Sequence, residues 1–169
     1  MLYYAKKLLN NGEECVFRTP VGIQDARSLL SLSARLQSET GYLQPMSEKD
    51  PDTETALLEL AADSSDLLVL VAEKNAVLVG SACLMNCGKE NGAGEIGVAV
   101  IQEEWGHGIG SHLLRILLRK ARSAGYPHLH LTVRPDNVRA QQMYRKAGFT
   151  VPEQALLPHQ PLEMILEIK

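Results

Sequence analysis

The sequence predicts a mixed α/β fold in which one sheet carries helices on its faces. Three observations support this. Its 169 residues suit one domain, 1–169, with no shift in composition to divide them. Segments of strand character and segments of helical periodicity follow one another along the chain. Glycine, asparagine and proline fall regularly between them.

Taken in order, Asn11-Gly12 lies between 2–9 and 14–19, and this dipeptide is favoured in tight hairpin turns, so two paired strands are predicted. Ile23, Ala26, Leu29, Leu30 and Leu36 recur at helical spacing, which predicts a helix over 22–36. A second helix begins where Asp50 caps and Pro51 occupies the first turn, with Ala56, Leu57, Leu60 and Ala61 facing inward. Between them, 39–49 is a polar loop. DLLVLVAE (66–73) and AVLVGSACLM (76–85) read as adjacent strands joined at Lys74-Asn75, and GEIGVAVI (94–101) as a third. Ile109, Leu113, Leu117, Ala121 and Ala124 then form one stripe of a helix, opposite His112, Arg115, Arg119 and Arg122. Gly125 and Pro127 end that helix, and HLHLTV (128–133) follows as a strand with Leu129, Leu131 and Val133 on one side. Asn137 suits the cap of the next helix, on which Ala140, Met143, Tyr144 and Ala147 share a face before Gly148. Residues 149–151 and 162–168 close the chain as strands.

Composition excludes several functions. A formal net charge of −3 gives no electrostatic reason to expect nucleic acid, and the basic row on the 109–124 helix reads as a solvated face. The longest apolar run, 67–72, is too short to span a bilayer, and the N-terminal stretch lacks the apolar core of a signal peptide. A soluble, cytoplasmic protein with no membrane partner is expected. Cys15, Cys83 and Cys87 form neither an even framework nor a CxxC pair and are read as reduced thiols. Cys83 and Cys87 have no further ligands nearby in sequence, and His128 and His130, on one side of a strand, are only two ligands, so no metal is expected.

The chemistry concentrates in VIQEEWGHGIGSHLL (100–114), where three glycines stand in alternate positions between a strand and a helix. The free N–H groups and positive dipole end of that helix point at one spot, a seat for phosphate, although a tight strand-to-helix turn accounts for the glycines equally well. A dinucleotide fingerprint is excluded because Ser111 stands where a third glycine is needed, and His128-Leu129-His130 where an acidic residue is needed. A nucleoside-triphosphate loop is excluded by the missing lysine.

The loop resembles the signature of the GNAT superfamily of acyl-CoA-dependent N-acyltransferases, written R/Q-x-x-G-x-G/A, with Trp105 in its first position instead of Arg or Gln. VAEKNAVLVGSACL (71–84) is similar to the family's second and third strands, GEIGVAV (94–100) to its fourth, and LTVRPDNVRAQQMYRKAGF (131–149) to its N-x-x-A-x-x-x-Y segment with a closing G-F. The resemblance implies a mostly antiparallel sheet splayed between its fourth and fifth core strands. Acetyl-CoA would enter that gap, its pantetheine arm pairing with Val98, Ala99 and Val100. The pyrophosphate would rest on Gly106, His107, Gly108, Ile109, Gly110 and Ser111, and Asn137 would lie near the arm. Asn137 serves equally well as a helix cap.

Acyl transfer to an amine needs a neutral nucleophile, a donor to the oxyanion and a partner for the leaving thiolate. The resemblance assigns the thiolate to Tyr144 and offers Glu95 as the base; the alternatives are a buried core tyrosine and a solvated strand-end carboxylate. A backbone N–H near Val98 suits the thioester oxygen. The expected function is direct transfer from acetyl-CoA to a small primary amine in a ternary complex. Its rival is a noncatalytic acyl-CoA-binding sensor. Residues 39–49 and 152–161 are the expected determinants of acceptor choice, and dimers, frequent in the family, make a homodimer an open alternative.

Overall fold

In the computed structural model, which describes residues 3–40, 50–87, 92–152 and 160–168, the strands lie side by side in chain order. β1 (Tyr4–Leu8), β2 (Glu14–Arg18), β3 (Leu67–Lys74), β4 (Val77–Asn86), β5 (Gly94–Val100), β6 (His128–Val133) and β7 (Leu162–Glu167) form one sheet. The helices are α1 (Gly22–Thr40), α2 (Pro51–Asp63), α3 (Ile109–Ser123) and α4 (Val138–Lys146). Neighbouring strands are antiparallel except β5 and β6, which are parallel because α3 carries the chain across between them.

Side-chain alternation sends consecutive β2 residues to opposite faces. Phe17 meets the His112 ring of α3 at 4.3 Å between centroids. Its neighbour Arg18 turns to the other face and pairs with Asp25 of α1 at 2.6 and 2.8 Å. Helices therefore cover both faces, as predicted. The core between the sheet and α3 is built from Phe17, Leu70, Ala82, Ile109, Leu113, Leu117 and Leu131, all 4% exposed or less.

Several elements depart from the sequence-based expectation. The first hairpin turns over 9–13, with the Leu9 N–H donating to the Glu13 carbonyl at 2.8 Å, so Asn11-Gly12 sits inside a longer loop. At the β3–β4 turn the central residues are Asn75 and Ala76, with φ of 51° and 62°, the pair of positive values a type I′ turn requires. Asp50 does cap α2, accepting from the Asp52 and Thr53 amides, but the helix is rotated from the predicted face. Leu58 and Ala61 are buried, whereas Ala56 is exposed and Leu57 and Leu60 are 38% and 68% exposed. Apolar residues occur on two sides of this helix, so packing against α1 decides its rotation. On α1, Ile23 is at the surface and Leu32 is buried in the core. Ala124 is the exposed C-cap of α3, and 149–151 contribute only a single bridge, Thr150 to Ile165.

His112 accepts from Lys7 Nζ at 3.3 Å. Burial first, then the charges of Lys7, Arg115 and Arg119, push its imidazolium pKa down from 6.5 to about 4. The unfolded chain therefore binds this proton at higher pH than the folded one, and stability drops as pH falls from about 6.5 towards 4. His112→Gln is expected to flatten the pH dependence of Tm across that window in thermal melts; an unchanged slope would place the acid sensitivity elsewhere.

Candidate functional site

β5 pairs with β4 along its whole length, from Gly94 opposite Asn86 to Val100 opposite Gly80. With β6 it pairs only at Gly94–Leu129 and Glu95–His130. Beyond those residues the strands diverge. At the vertex a Cβ on Gly94 would stand 2.7 Å from Leu129 and 2.9 Å from Tyr126, so only glycine lets β6 approach β5 there. The gap is the one the resemblance implied between the fourth and fifth core strands, here β5 and β6 because Tyr4–Leu8 is counted as β1.

A cleft of about 470 Å³ follows the gap. Ile96 to Val100 form one wall, and Thr132, Val133 and α4 the other. The first turn of α3 lies at one side of the sheet, and Leu36 and Thr40 of α1 at the other, so the cleft passes through the sheet. An unpaired strand edge within such a gap suits an extended chain carrying its own amides.

The glycine loop forms one mouth. Gly106 and Gly108 have φ of 84° and 90°, values that disfavour a side chain. Gly108 is the N-cap of α3 and offers no side-chain acceptor; the His112 N–H makes the first intrahelical bond, to the Gly108 carbonyl at 3.0 Å. The amides ahead of it therefore belong to the uncapped end of a helix dipole. Gly110 serves packing as well, because a Cβ there would stand 3.2 Å from Met143 Sδ of α4.

Among the predicted residues, Val98, Ala99, Val100, Gly106, Gly108, Ile109, Gly110, Ser111, Asn137 and Tyr144 all line the cleft. Two do not. His107 turns back to Glu104, with Nδ1 3.1 Å from its carboxylate, and Glu95 lies at the paired end of β5. Asn137 caps α4, accepting from the Ala140 N–H at 3.2 Å, and lines the cleft as well. Tyr144 is 5% exposed, with its ring 5.8 Å from that of Phe149. Burial, then the neighbouring Cys83, pushes its phenol well above the usual range; a hydrogen bond with the Val98 backbone offsets this in part. The phenol thus holds its proton and is set against the middle of β5, its oxygen accepting from the Val98 N–H.

Other features here were not legible in the sequence. Trp105 donates its indole N–H to the Val100 carbonyl at 2.7 Å, closing the end of β5, while Arg139 stacks 5.1 Å over its ring. Arg134, Arg139 and Lys146 bring positive charge to the cleft, favourable for a phosphorylated ligand. Beneath the loop, Glu104 is buried against Lys74, which also holds Glu13 of the first hairpin at 2.7 Å. Burial alone would raise the Glu104 pKa, but Lys74 and His107 outweigh it and keep the carboxylate charged. No sequence pattern joins 13, 74, 104 and 107, because three separate turns bring them together. Of the predicted acceptor determinants, 39–49 and 152–161, residues 41–49 and 153–159 lie outside the described residues. Among those described, no helix is long and apolar enough to cross a membrane.

Residues 32–149 match the family model described as the acetyltransferase (GNAT) family. Among solved structures, an acetyltransferase of the GNAT family from Streptococcus pneumoniae aligns with a TM-score of 0.81 at 21% identity, over 92% of this chain and 99% of that one. The putative acetyltransferase yncA from Salmonella typhimurium, solved with its cofactor acetyl-CoA, aligns with a TM-score of 0.71 at 20% identity, over 99% and 95%. The paia N-acetyltransferase from Thermoplasma acidophilum, in complex with coenzyme A, aligns at 0.72 and 18% identity, over 90% and 98%. Among functionally curated proteins, none matches the sequence.

Proposed function

The chain belongs to the GNAT acetyltransferase family, and on that premise we propose that it is a single-domain cytoplasmic N-acetyltransferase moving an acetyl group from acetyl-CoA to a primary amine. The observation that carries this reading is the buried Tyr144 phenol set against Val98 in the β5–β6 gap. A module that only sensed acyl-CoA would need the gap and the loop but not a buried proton donor within them, so Tyr144 favours the enzyme.

In this reading the pantetheine arm adds along Val98–Val100, and the pyrophosphate lies on the amides of 106–111 near Arg139. A β5 N–H near Val98 donates to the thioester oxygen as the amine attacks, and the tetrahedral carbon then expels the thiolate towards Tyr144. Full proton transfer from a phenol of pKa ~10 to a thiolate of pKa ~8.5 already costs about 2 kcal/mol. The raised phenol makes it costlier, so Tyr144 acts by donating a hydrogen bond. The amine is acetylated in one step within a ternary complex. The test is thiol release from acetyl-CoA across a panel of amino acids, polyamines, aminoglycosides and peptide N-termini; no release with any of them would favour the sensor.

Glu95 is proposed as the base that takes the amine proton through water, from the face of β5 opposite α3. Glu95→Gln is expected to lower kcat/KM at neutral pH and to recover at alkaline pH, where free amine is abundant. A pH-independent loss, or no loss, would remove Glu95 from this role.

A further inference from the structure

Neither the cysteine pair nor the histidine pair singled out in the sequence has the ligands for a metal. The strand register, however, brings one member of each together. Cys87, just beyond β4, is fixed by its N–H donating to the Ala93 carbonyl at 3.1 Å. Glu95 and His130 are direct partners across the short β5–β6 ladder. Cys87 Sγ stands 3.4 Å from His130 Nε2 and 3.6 Å from Glu95 Oε2, and the three donor atoms lie within 4.8 Å of one another.

We infer that Cys87, Glu95 and His130 form a binding site for a divalent transition-metal ion, Zn²⁺ by ligand type. Zinc bonds of about 2.3 Å to sulfur and about 2.0 Å to nitrogen and oxygen, at tetrahedral angles, place sulfur roughly 3.5 Å from each of the other donors. The two observed sulfur distances are already of that size. Only the nitrogen–oxygen edge must shorten, to about 3.3 Å, and the flexible Glu95 side chain can supply that movement. Charge also balances: on binding, the thiol loses its proton to solvent, and one thiolate, one carboxylate and a neutral imidazole offset a dication. All three residues are half-buried, so water reaches the fourth position. None of them lines the cleft. The ion would cross-link β4, β5 and β6 at the vertex of the splay, where the β5–β6 ladder is only two residue pairs long. The geometry carries this inference without the acyl-transfer reading, but the two meet at Glu95: with the ion bound, its carboxylate is a ligand and is withdrawn from the role of base.

The experiment is an anaerobic titration of the reduced protein with Co²⁺, the spectroscopic substitute for zinc. The wild type is expected to develop a thiolate-to-cobalt charge-transfer band and the intense visible bands of four-coordinate cobalt at one equivalent, both abolished by added Zn²⁺. Zn²⁺ should also raise Tm, since it binds the folded arrangement. Cys83→Ala should keep the spectrum, Cys87→Ser should lose the charge-transfer band, and His130→Ala should weaken binding at least tenfold. Circular dichroism establishes that each variant is folded, and the wild-type Tm shift reads the site without any variant. A wild-type spectrum that stays that of hydrated cobalt, or a charge-transfer band that survives in Cys87→Ser, would overturn the site.

Discussion

Tyr144→Phe is expected to reduce kcat by on the order of a hundredfold while acetyl-CoA affinity stays nearly unchanged. Phenylalanine keeps the ring that packs edge-on against Phe149 and removes only the hydroxyl, so fold and cleft shape persist. On the proposed reading, the lost interaction is a hydrogen bond that strengthens as charge develops on the leaving sulfur. In a buried site, removing one such donor costs ~2.7–4 kcal/mol, a loss that appears in kcat. Steady-state thiol release measures kcat and KM, and calorimetry measures cofactor affinity independently. Full activity in Tyr144→Phe would leave the residue as packing only. A parallel fall in affinity would show that the hydroxyl holds the ground state.

Gly108→Val is expected to abolish measurable acetyl-CoA binding, an effect of at least a hundredfold in Kd. Two physical effects act together. At φ 90° a β-branched residue is strongly disfavoured, so the loop must rotate and its amides leave their common direction. The added side chain also has little room, since a Cβ alone would lie 3.4 Å from the Asn10 side chain. Because the strain falls on a helix cap, some loss of stability accompanies the loss of binding. Thermal melts separate the two effects: a folded variant with unchanged affinity would refute the placement of the pyrophosphate.

What the sequence revealed divides along a physical line. Periodicity and capping chemistry are local, and they located α3, α4, β6 and the Asp50 and Asn137 caps with little error. The rotation of α2 was not local: apolar Leu57, Leu58, Leu60 and Ala61 leave two faces equally plausible until α1 chooses one. The cleft walls were legible only because their residues recur in a family pattern. Composition alone would have assigned Tyr144 to the core, and it is indeed buried there while also lining the cleft. The Trp105–Arg139 stack and the Glu13–Lys74–Glu104–His107 network join distant segments through turns and remained unread. The Cys87–Glu95–His130 cluster depends on register, which shifts every neighbour if changed by one residue.

The divergence of β5 from β6 gives this sheet two edges in its interior besides those of β1 and β7. Unsatisfied strand edges ordinarily recruit other chains and lead to aggregation. Here Trp105 occupies the last β5 carbonyl, α4 forms the facing wall with Tyr144 and Met143, and the strands meet at Gly94. What remains is the edge of β5 from Ile96 to Val100, unpaired with β6 and set within the walls of the cleft. On the proposed reading, that edge is kept for the amides of the ligand, and the walls around it shield it from pairing with other copies of the chain.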